Sequence, residues 1–281
     1  MTGQPDPHRP APESETPVST VGFQTGGRRM WLEIALIVGG LLALVVIVVG
    51  AARWAASKTT RFIPREVDTT LGEQTWVALA PPGQRCDNPE VQAYVQQLAQ
   101  PLVAASDGSF QFRFTVVDAP EVNAFALPGG FVTVNLGLLK AAETGEEIAG
   151  VLAHEIGHVV LRHGTQRILR QLGGTVVLSA LFGGTDIELP TYLVGNLLDT
   201  AYSREQESEA DEYGMELLKR AGIEAGGLTR FFERMAEQSP QLPGLLSTHP
   251  DPGDRARRAA RLAENSQVRV HLPAPRDWAC H

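Results

Sequence analysis

The chain has 281 residues, of which 43% are hydrophobic and 20% are charged. It can therefore bury a core and is not disordered throughout. It carries 24 basic and 32 acidic residues, for a net charge of −8. Because no cluster of Lys and Arg forms a basic patch, the composition argues against a nucleic-acid-binding protein. The length predicts one or two domains.

The N-terminal part divides into a tail and an apolar stretch. The proline-rich residues 1–29 show no apolar periodicity, which predicts a disordered tail. Residues 34–52 carry no charge, and a helix of that length, with its flanks, can cross a hydrocarbon core of roughly 30 Å. A buried core helix and a cleaved signal peptide are the alternatives, but the stretch is long for a signal peptide and no A-x-A site follows it. We predict one retained transmembrane helix over 31–54 and a connector over 55–65.

The residues around this stretch give conflicting indications of its orientation. More basic residues follow it than precede it: Arg53, Lys58, Arg61 and Arg65 against Arg28 and Arg29. The positive-inside rule then favours a cytoplasmic C-terminal domain. Both cysteines, Cys86 and Cys280, follow the stretch, and a bonded pair would suit an oxidising compartment, with two free thiols as the alternative. We favour the periplasmic side of a bacterial-type inner membrane.

Residues 66–281 are predicted to form one α+β domain, because strands come first and helices follow. A period-two pattern over 110–116 indicates a half-buried strand, and short apolar runs over 123–134 indicate a hairpin. Helices are predicted over about 146–163 (ended by Gly164), 200–220, 226–238 and 254–265. The apolar stretch 172–182 is predicted to be a packed helix or a lid over a cleft.

A His-Glu-x-x-His motif at 154–158 carries the chemistry of this domain. His154 and His158 lie one helical turn apart on the same face, so both imidazoles can bind one zinc ion. Glu155 lies next to the first ligand and can reach a zinc-bound water rather than the metal. The alternatives are a chance match and the Glu-x-x-His element of a di-iron bundle, but a di-iron site needs a second such element, which the sequence lacks. His163 is rotated about 140° from the metal-facing direction and is predicted to be a helix-terminal cation or cap.

A catalytic zinc ion needs a third protein ligand, and the acidic segment 201–214 offers one. Glu207 and Asp211 lie four residues apart and share a helix face. Spacing alone leaves the ligand undecided, because the segment has further glutamates that are equally compatible with a solvated helix face: Glu205, Glu209 and Glu212.

With this pair of motifs the chain resembles the membrane-associated HExxH zinc endopeptidases, a family that includes the CAAX prenyl endopeptidase, HtpX, and the Oma-type and periplasmic quality-control proteases. The resemblance implies a mainly helical, zincin-like (gluzincin) domain with a small antiparallel sheet. It implies one Zn²⁺ per chain, bound by His154, His158 and Glu207. Asp211 would accept a hydrogen bond from a ligand imidazole, and Glu155 would act as general base.

The resemblance extends to two further segments. The strand with Asn123, Ala124 and Phe125 resembles the border of the family's active cleft, where an extended substrate could pair with the strand edge. A purely structural hairpin is the alternative. His249, which precedes a proline, and Arg255 match the family's His-Pro segment and its downstream arginine. They are candidates for stabilising an oxyanion or gripping substrate. His249 could instead occupy the open position of zinc, and an ordinary loop histidine with a surface arginine is the remaining alternative.

These features predict a membrane-anchored, zinc-dependent endopeptidase. The resemblance implies protein or peptide substrates, in particular unfolded or misassembled membrane or envelope proteins, and the single span favours the Oma-type and periplasmic members. One alternative is a chaperone or assembly factor that binds zinc without turnover. Another is a membrane-tethered structural protein with an accidental HExxH, which would bind no zinc.

Overall fold

The computed structural model describes residues 27–60, 63–172, 201–237, 249, 252–263, 268 and 270–280. The chain divides into two compact units, Met1–Gly50 and Ala51–His281. Almost all of the predicted tail over 1–29 and of the predicted helix or lid over 172–182 lies outside the described residues.

Helix α1, Gly27–Thr59, contains the apolar stretch of the N-terminal part. It begins within the last residues of the predicted tail and continues into the predicted connector. Among the described residues, no helix meets the combined length and hydropathy that a membrane crossing requires. The transmembrane helix predicted over 31–54 is therefore not confirmed.

The second unit is mainly helical, with one small sheet. In chain order its further elements are α2 (Arg65–Leu79), α3 (Pro89–Ala105), β1 (Arg113–Val117), β2 (Ala124–Ala126), β3 (Phe131–Asn135), α4 (Leu136–Ala141), α5 (Gly145–Val160), α6 (His163–Leu172), α7 (Arg204–Ala221), α8 (Gly226–Glu237) and α9 (Pro252–Ala263). The prediction of a mainly helical domain with a small sheet is confirmed, but the strands do not come first, because α2 and α3 precede them.

The three strands form a sheet in the order β1-β3-β2. Strands β2 and β3 are antiparallel, as the predicted hairpin requires, but β1 and β3 are parallel. The sheet is therefore mixed, and the prediction of an antiparallel sheet is wrong. The hairpin specifies only its own two strands. The position of β3 between β1 and β2 is set by tertiary packing.

Helices α5 and α7 pack closely because glycines lie at their contact. A Cβ atom added to Gly214 would lie 3.0 Å from the backbone nitrogen of His154, and one added to Gly157 would lie 3.0 Å from the carbonyl oxygen of Ala210. A larger side chain at either position would force the helices apart. This close packing brings side chains of the two helices to a common point.

Helix α5 ends at Val160, so the prediction that it continues to 163 and is ended by Gly164 is wrong. Arg162 lies in the left-handed region, with φ at 58°, and interrupts the helix. The Arg162 guanidinium binds the carboxylate of Asp68, with 2.8 Å between Nε and Oδ2, and donates to the carbonyl of Ile63 at 2.9 Å. These contacts offset the cost of the left-handed conformation.

The C-terminal residues 270–280 form neither helix nor strand and pack against other parts of the second unit. The Tyr94 hydroxyl donates to the carbonyl of Pro273 at 3.0 Å, and the ring of Trp278 packs on that of Tyr94 at 5.0 Å between centroids. Cys280 forms a disulfide with Cys86, across 194 residues of sequence. Of the two alternatives left open for the cysteines, the structure therefore has the bonded pair.

Candidate metal centre

Helix α5 places both motif histidines at one buried point. The Thr144 side chain caps the helix by accepting from the backbone amide of Glu147 at 3.3 Å. Two turns further on, the Nε2 atoms of His154 and His158 lie 3.0 Å apart, and both rings are buried. Both side chains extend from the same face of the helix because they are four residues apart, as the motif predicts.

Helix α7 adds the carboxylate of Glu207. Its Oε2 lies 3.6 Å from His154 Nε2 and its Oε1 lies 3.5 Å from His158 Nε2. Ligands 2.0–2.1 Å from a tetrahedral zinc are separated by roughly 3.3 Å, so this donor set fits a zinc ion. Burial raises the pKa of Glu207, but the charges of His249 and Arg255 outweigh burial and hold that pKa well below its usual range. The carboxylate is therefore ionised at neutral pH, as a metal ligand must be.

His249 completes a group of four ligand atoms. Its Nδ1 lies 3.3 Å from His154 Nε2 and 3.0 Å from Glu207 Oε1. One donor atom from each of the four residues, His154, His158, Glu207 and His249, lies within 4.8 Å of the others, so the group could hold one metal ion. The structure thus places His249 at the position that a fourth ligand or a water would take, one of the alternatives left open by the sequence.

Glu155 lies beside this group and outside it. Its Oε1 is 3.3 Å from His249 Nε2, and its Oε2 is a buried oxygen with no hydrogen-bond partner among the described residues. The side chain is 1% exposed. Burial raises the pKa of Glu155, an effect that outweighs the opposing charges of His249 and His154. An unpartnered carboxylate oxygen next to a metal-binding group suits a general base that receives a proton from water.

Asp211 and Arg255 contact the ligand residues from outside the metal-binding group. Asp211 Oδ1 lies 2.9 Å from His154 Nδ1, a position from which a carboxylate can orient a ligand imidazole. The Arg255 guanidinium donates to both oxygens of Asp211, at 3.0 and 2.8 Å, and lies 2.7 Å from Glu207 Oε2. Burial raises the pKa of Asp211, but Arg255 and His154 outweigh burial and lower it to about 2. Because Arg255 is engaged by two carboxylates, its geometry favours positioning of the ligands over contact with an oxyanion.

His163 belongs to the site, which the sequence prediction missed. Its Nδ1 lies 2.9 Å from His158 Nδ1, and its Nε2 lies 3.1 Å from Glu209 Oε2. Burial, with a smaller contribution from the charge of His154, lowers the pKa of His163 to about 4, so the ring is neutral at pH 7. The expected rotation away from the metal assumed one continuous helix. The interruption at Arg162 cancels that rotation.

Tyr202 is a second residue that the prediction missed. Its ring stacks on His158, with 3.9 Å between centroids and an angle of 19°, and its hydroxyl donates to the carbonyl of Ala126 at 3.5 Å. Burial raises the pKa of Tyr202 to about 12, so the hydroxyl keeps its proton at neutral pH. The only sequence signal is an aromatic residue just before the capped start of α7, which is too common a feature to indicate a site.

Strand β2 is one of the two edge strands of the described sheet and packs against α5, the helix that carries both motif histidines. Its flanking residues bond to β3, since the amide of Leu127 donates to Phe131 and the carbonyl of Asn123 accepts from Asn135. Backbone groups alternate in direction along an antiparallel strand. Those of Phe125 therefore face β3, whereas those of Ala124 and Ala126 face the outer edge.

The Ala126 amide hydrogen-bonds the Glu155 carboxylate, which ties this edge to the metal-binding group. Of the three residues predicted to bind substrate, Ala124 presents its backbone to the edge, while Asn123 and Phe125 present theirs to β3.

A helix that carries HExxH, packed against a second helix that supplies a carboxylate, defines the fold and site of a zinc metallopeptidase. The sequence profile of peptidase family M48 matches residues 86–263, which include every residue of the metal-binding group. The chain therefore belongs to peptidase family M48. The resemblance inferred from its motifs is confirmed.

Individual relatives are similar to the chain over half to two thirds of its length. The mitochondrial metalloendopeptidase OMA1 of Bos taurus is 34% identical over 164 residues, which are 52% of this chain and 31% of that protein. The metalloprotease LoiP of Escherichia coli K12 is 34% identical over 151 residues, which are 51% of this chain and 60% of LoiP. The beta-barrel assembly-enhancing protease of Yersinia pestis is 30% identical over 205 residues, which are 66% of this chain and 41% of that protein. The chain thus covers between about a third and three fifths of the length of these relatives.

Proposed function

We propose that the chain is a zinc-dependent endopeptidase in which Glu155 is the general base. The observation that carries this proposal is the buried group of His154, His158 and Glu207, with an unpartnered oxygen of Glu155 beside it. Zinc held by this group would polarise the substrate carbonyl and lower the pKa of a bound water. Glu155 would take the proton of the attacking water and pass it to the leaving amine.

The test compares wild type with Glu155→Gln, which removes the base and keeps the size of the side chain. We expect unchanged zinc content and a loss of casein cleavage of about 10²- to 10⁴-fold, the range for general acid–base catalysis. Glu205→Gln, at an exposed position of α7, is the matched control and should cleave like wild type. Full cleavage by Glu155→Gln at normal zinc content would refute the assignment.

The position of His249 favours a second candidate, a zinc-binding chaperone or assembly factor without turnover. Its Nδ1 lies 3.0 Å from Glu207 Oε1, where a catalytic water would otherwise stand. For an enzyme, this arrangement is an idle state that His249 must leave, so His249→Ala should cleave casein faster than wild type. If the chain is a chaperone, wild type, Glu155→Gln and His249→Ala should all suppress aggregation to the same extent, and none of the three should cleave casein.

We propose that substrates are extended segments of unfolded proteins. The outward backbone groups of Ala124 support this proposal, because a peptide that pairs with a strand edge is bound mainly through its own backbone. Such binding tolerates many side chains, which suits removal of misassembled proteins. One relative is named a beta-barrel assembly-enhancing protease, and by similarity we extend the proposed role to quality control of membrane and envelope proteins.

We also propose that α1 attaches the chain to a bacterial-type inner membrane, with the peptidase unit on the periplasmic side. The uncharged stretch 34–52 and the exposure of large apolar side chains such as Trp31 and Leu36 support attachment. The disulfide between Cys86 and Cys280 supports an oxidising compartment. Carbonate extraction of membranes tests the attachment. Alkaline phosphatase fused to the C-terminus tests the side, because it is active only in the periplasm.

A further inference from the structure

Each histidine of the HExxH motif has a partner at the ring nitrogen that faces away from the metal-binding group. His154 Nδ1 lies 2.9 Å from Asp211 Oδ1, the partner that the family pattern predicts. His158 Nδ1 lies 2.9 Å from a second imidazole nitrogen, the Nδ1 of His163. His163 in turn places its Nε2 3.1 Å from Glu209 Oε2. The second histidine is thus held by two side chains in series.

The hydrogen bonds of this series assign the protons. A carboxylate only accepts, so the nitrogen of His163 that faces Glu209 carries a proton. At 2.9 Å between the two Nδ1 atoms, one ring must donate and the other accept, and a His158 that binds a metal through Nε2 carries its proton on Nδ1 and is therefore the donor. This leaves the lone pair of His158 on Nε2, the atom that lies 3.5 Å from Glu207 Oε1 in the metal-binding group. The series therefore selects the tautomer of His158 that can bind a metal.

The fold holds His163 at this position through residues that do not belong to the site. Arg162 interrupts α5 in a left-handed conformation and binds Asp68 of α2, so His163 begins a new helix next to His158. The His163 side chain is 1% exposed. Its ring also faces Tyr202, at 6.2 Å between centroids. A buried imidazole with hydrogen bonds at both nitrogens has little freedom to turn.

We propose that His163 and Glu209 are positioning residues, which hold His158 in the tautomer and orientation that zinc binding needs. The inference rests on the proposed function, because it requires the metal-binding group to take up zinc. Neither residue contacts the substrate in this scheme. Loss of such an outer partner lowers metal affinity by about 10- to 100-fold in characterised zinc sites.

The test measures the zinc dissociation constant of the full-length protein by competition with a chromophoric chelator. His163→Phe keeps a planar ring and removes the acceptor for His158, and we expect its affinity to fall by about 10- to 100-fold. His163→Asn offers a carbonyl oxygen as a new acceptor and should recover most of that loss. Cobalt-substituted protein gives an independent readout, since its visible absorption should change in His163→Phe and return towards wild type in His163→Asn. Glu205→Gln is the control on α7.

The outcomes separate the inference from the proposed function. Wild-type protein that takes up no zinc would overturn the proposed function. Stoichiometric zinc in wild type, with the same affinity in folded His163→Phe, would overturn only the positioning role. Should His163→Phe fail to fold, Glu209→Ala decides, because the Glu209 side chain is 52% exposed and tolerates truncation. An affinity loss of at least about threefold in that variant supports the inference, and wild-type affinity refutes it.

Discussion

The disulfide between Cys86 and Cys280 is predicted to be a main source of stability for the peptidase unit. It joins residues separated by 194 positions, and the chain-entropy model gives about 5 kcal/mol for closing a loop of that length in the unfolded state. Removal of native disulfides typically costs about 2–5 kcal/mol. Since 1 kcal/mol shifts the melting temperature of a unit this size by about 2–4 °C, we expect Cys86→Ser with Cys280→Ser to melt roughly 10 °C below wild type.

Calorimetry of the purified full-length protein, with and without reductant, measures this shift. Reductant should lower the melting temperature of wild type to that of the double variant and leave the double variant unchanged. Trp278→Ala is a useful comparison, because it loosens the C-terminal segment from Tyr94 while the covalent link remains. A double variant that melts within about 1 °C of oxidised wild type would refute the reasoning, since it would mean that the link does not restrict the unfolded chain.

Two further predictions concern the contacts of helix α5. Arg234 donates to both oxygens of buried Glu147, at 2.7 and 2.5 Å. Arg234→Gln should therefore lower the free energy of unfolding, measured with denaturant, by about 3–5 kcal/mol. Arg230→Gln, which removes a half-exposed ion pair, is the control and should lower it by less than about 1 kcal/mol. Burial raises the pKa of Glu147 but Arg234 outweighs it, so the net shift is downward. The stability that this ion pair contributes is therefore present above the pKa of an unfolded glutamate and is lost as pH falls through the lowered pKa of Glu147. An equal loss of unfolding free energy in Arg234→Gln at pH 3 and at pH 7 would contradict this prediction. Gly214→Val should push α7 away from α5 and lower both melting temperature and zinc affinity, whereas Gly83→Val, where nothing lies within 4 Å, should change neither.

The metal-binding group was largely predictable because its signals are local. A helical spacing of four residues places His154 and His158 on one face without help from the rest of the fold. The same spacing relates Glu207 to Asp211, but only the family resemblance distinguished Glu207 from the neighbouring glutamates. Helices α7 and α8 also lie within a few residues of their predicted bounds, since caps and apolar periodicity are properties of short segments.

The rest was decided by contacts between residues far apart in the chain. Arg162 ends α5 because Asp68, almost a hundred positions earlier, binds its guanidinium, and that interruption brings His163 against His158. The placement of β3 beside β1 likewise depends on packing that a hairpin signal does not contain. By itself the sequence determined the family and the paired imidazoles, because periodicity and spacing act over a few residues. Only the tertiary structure decided which distant side chains contact those imidazoles, and only the tertiary structure brought the two cysteines together. No local pattern encodes which distant segments of a chain pack against each other.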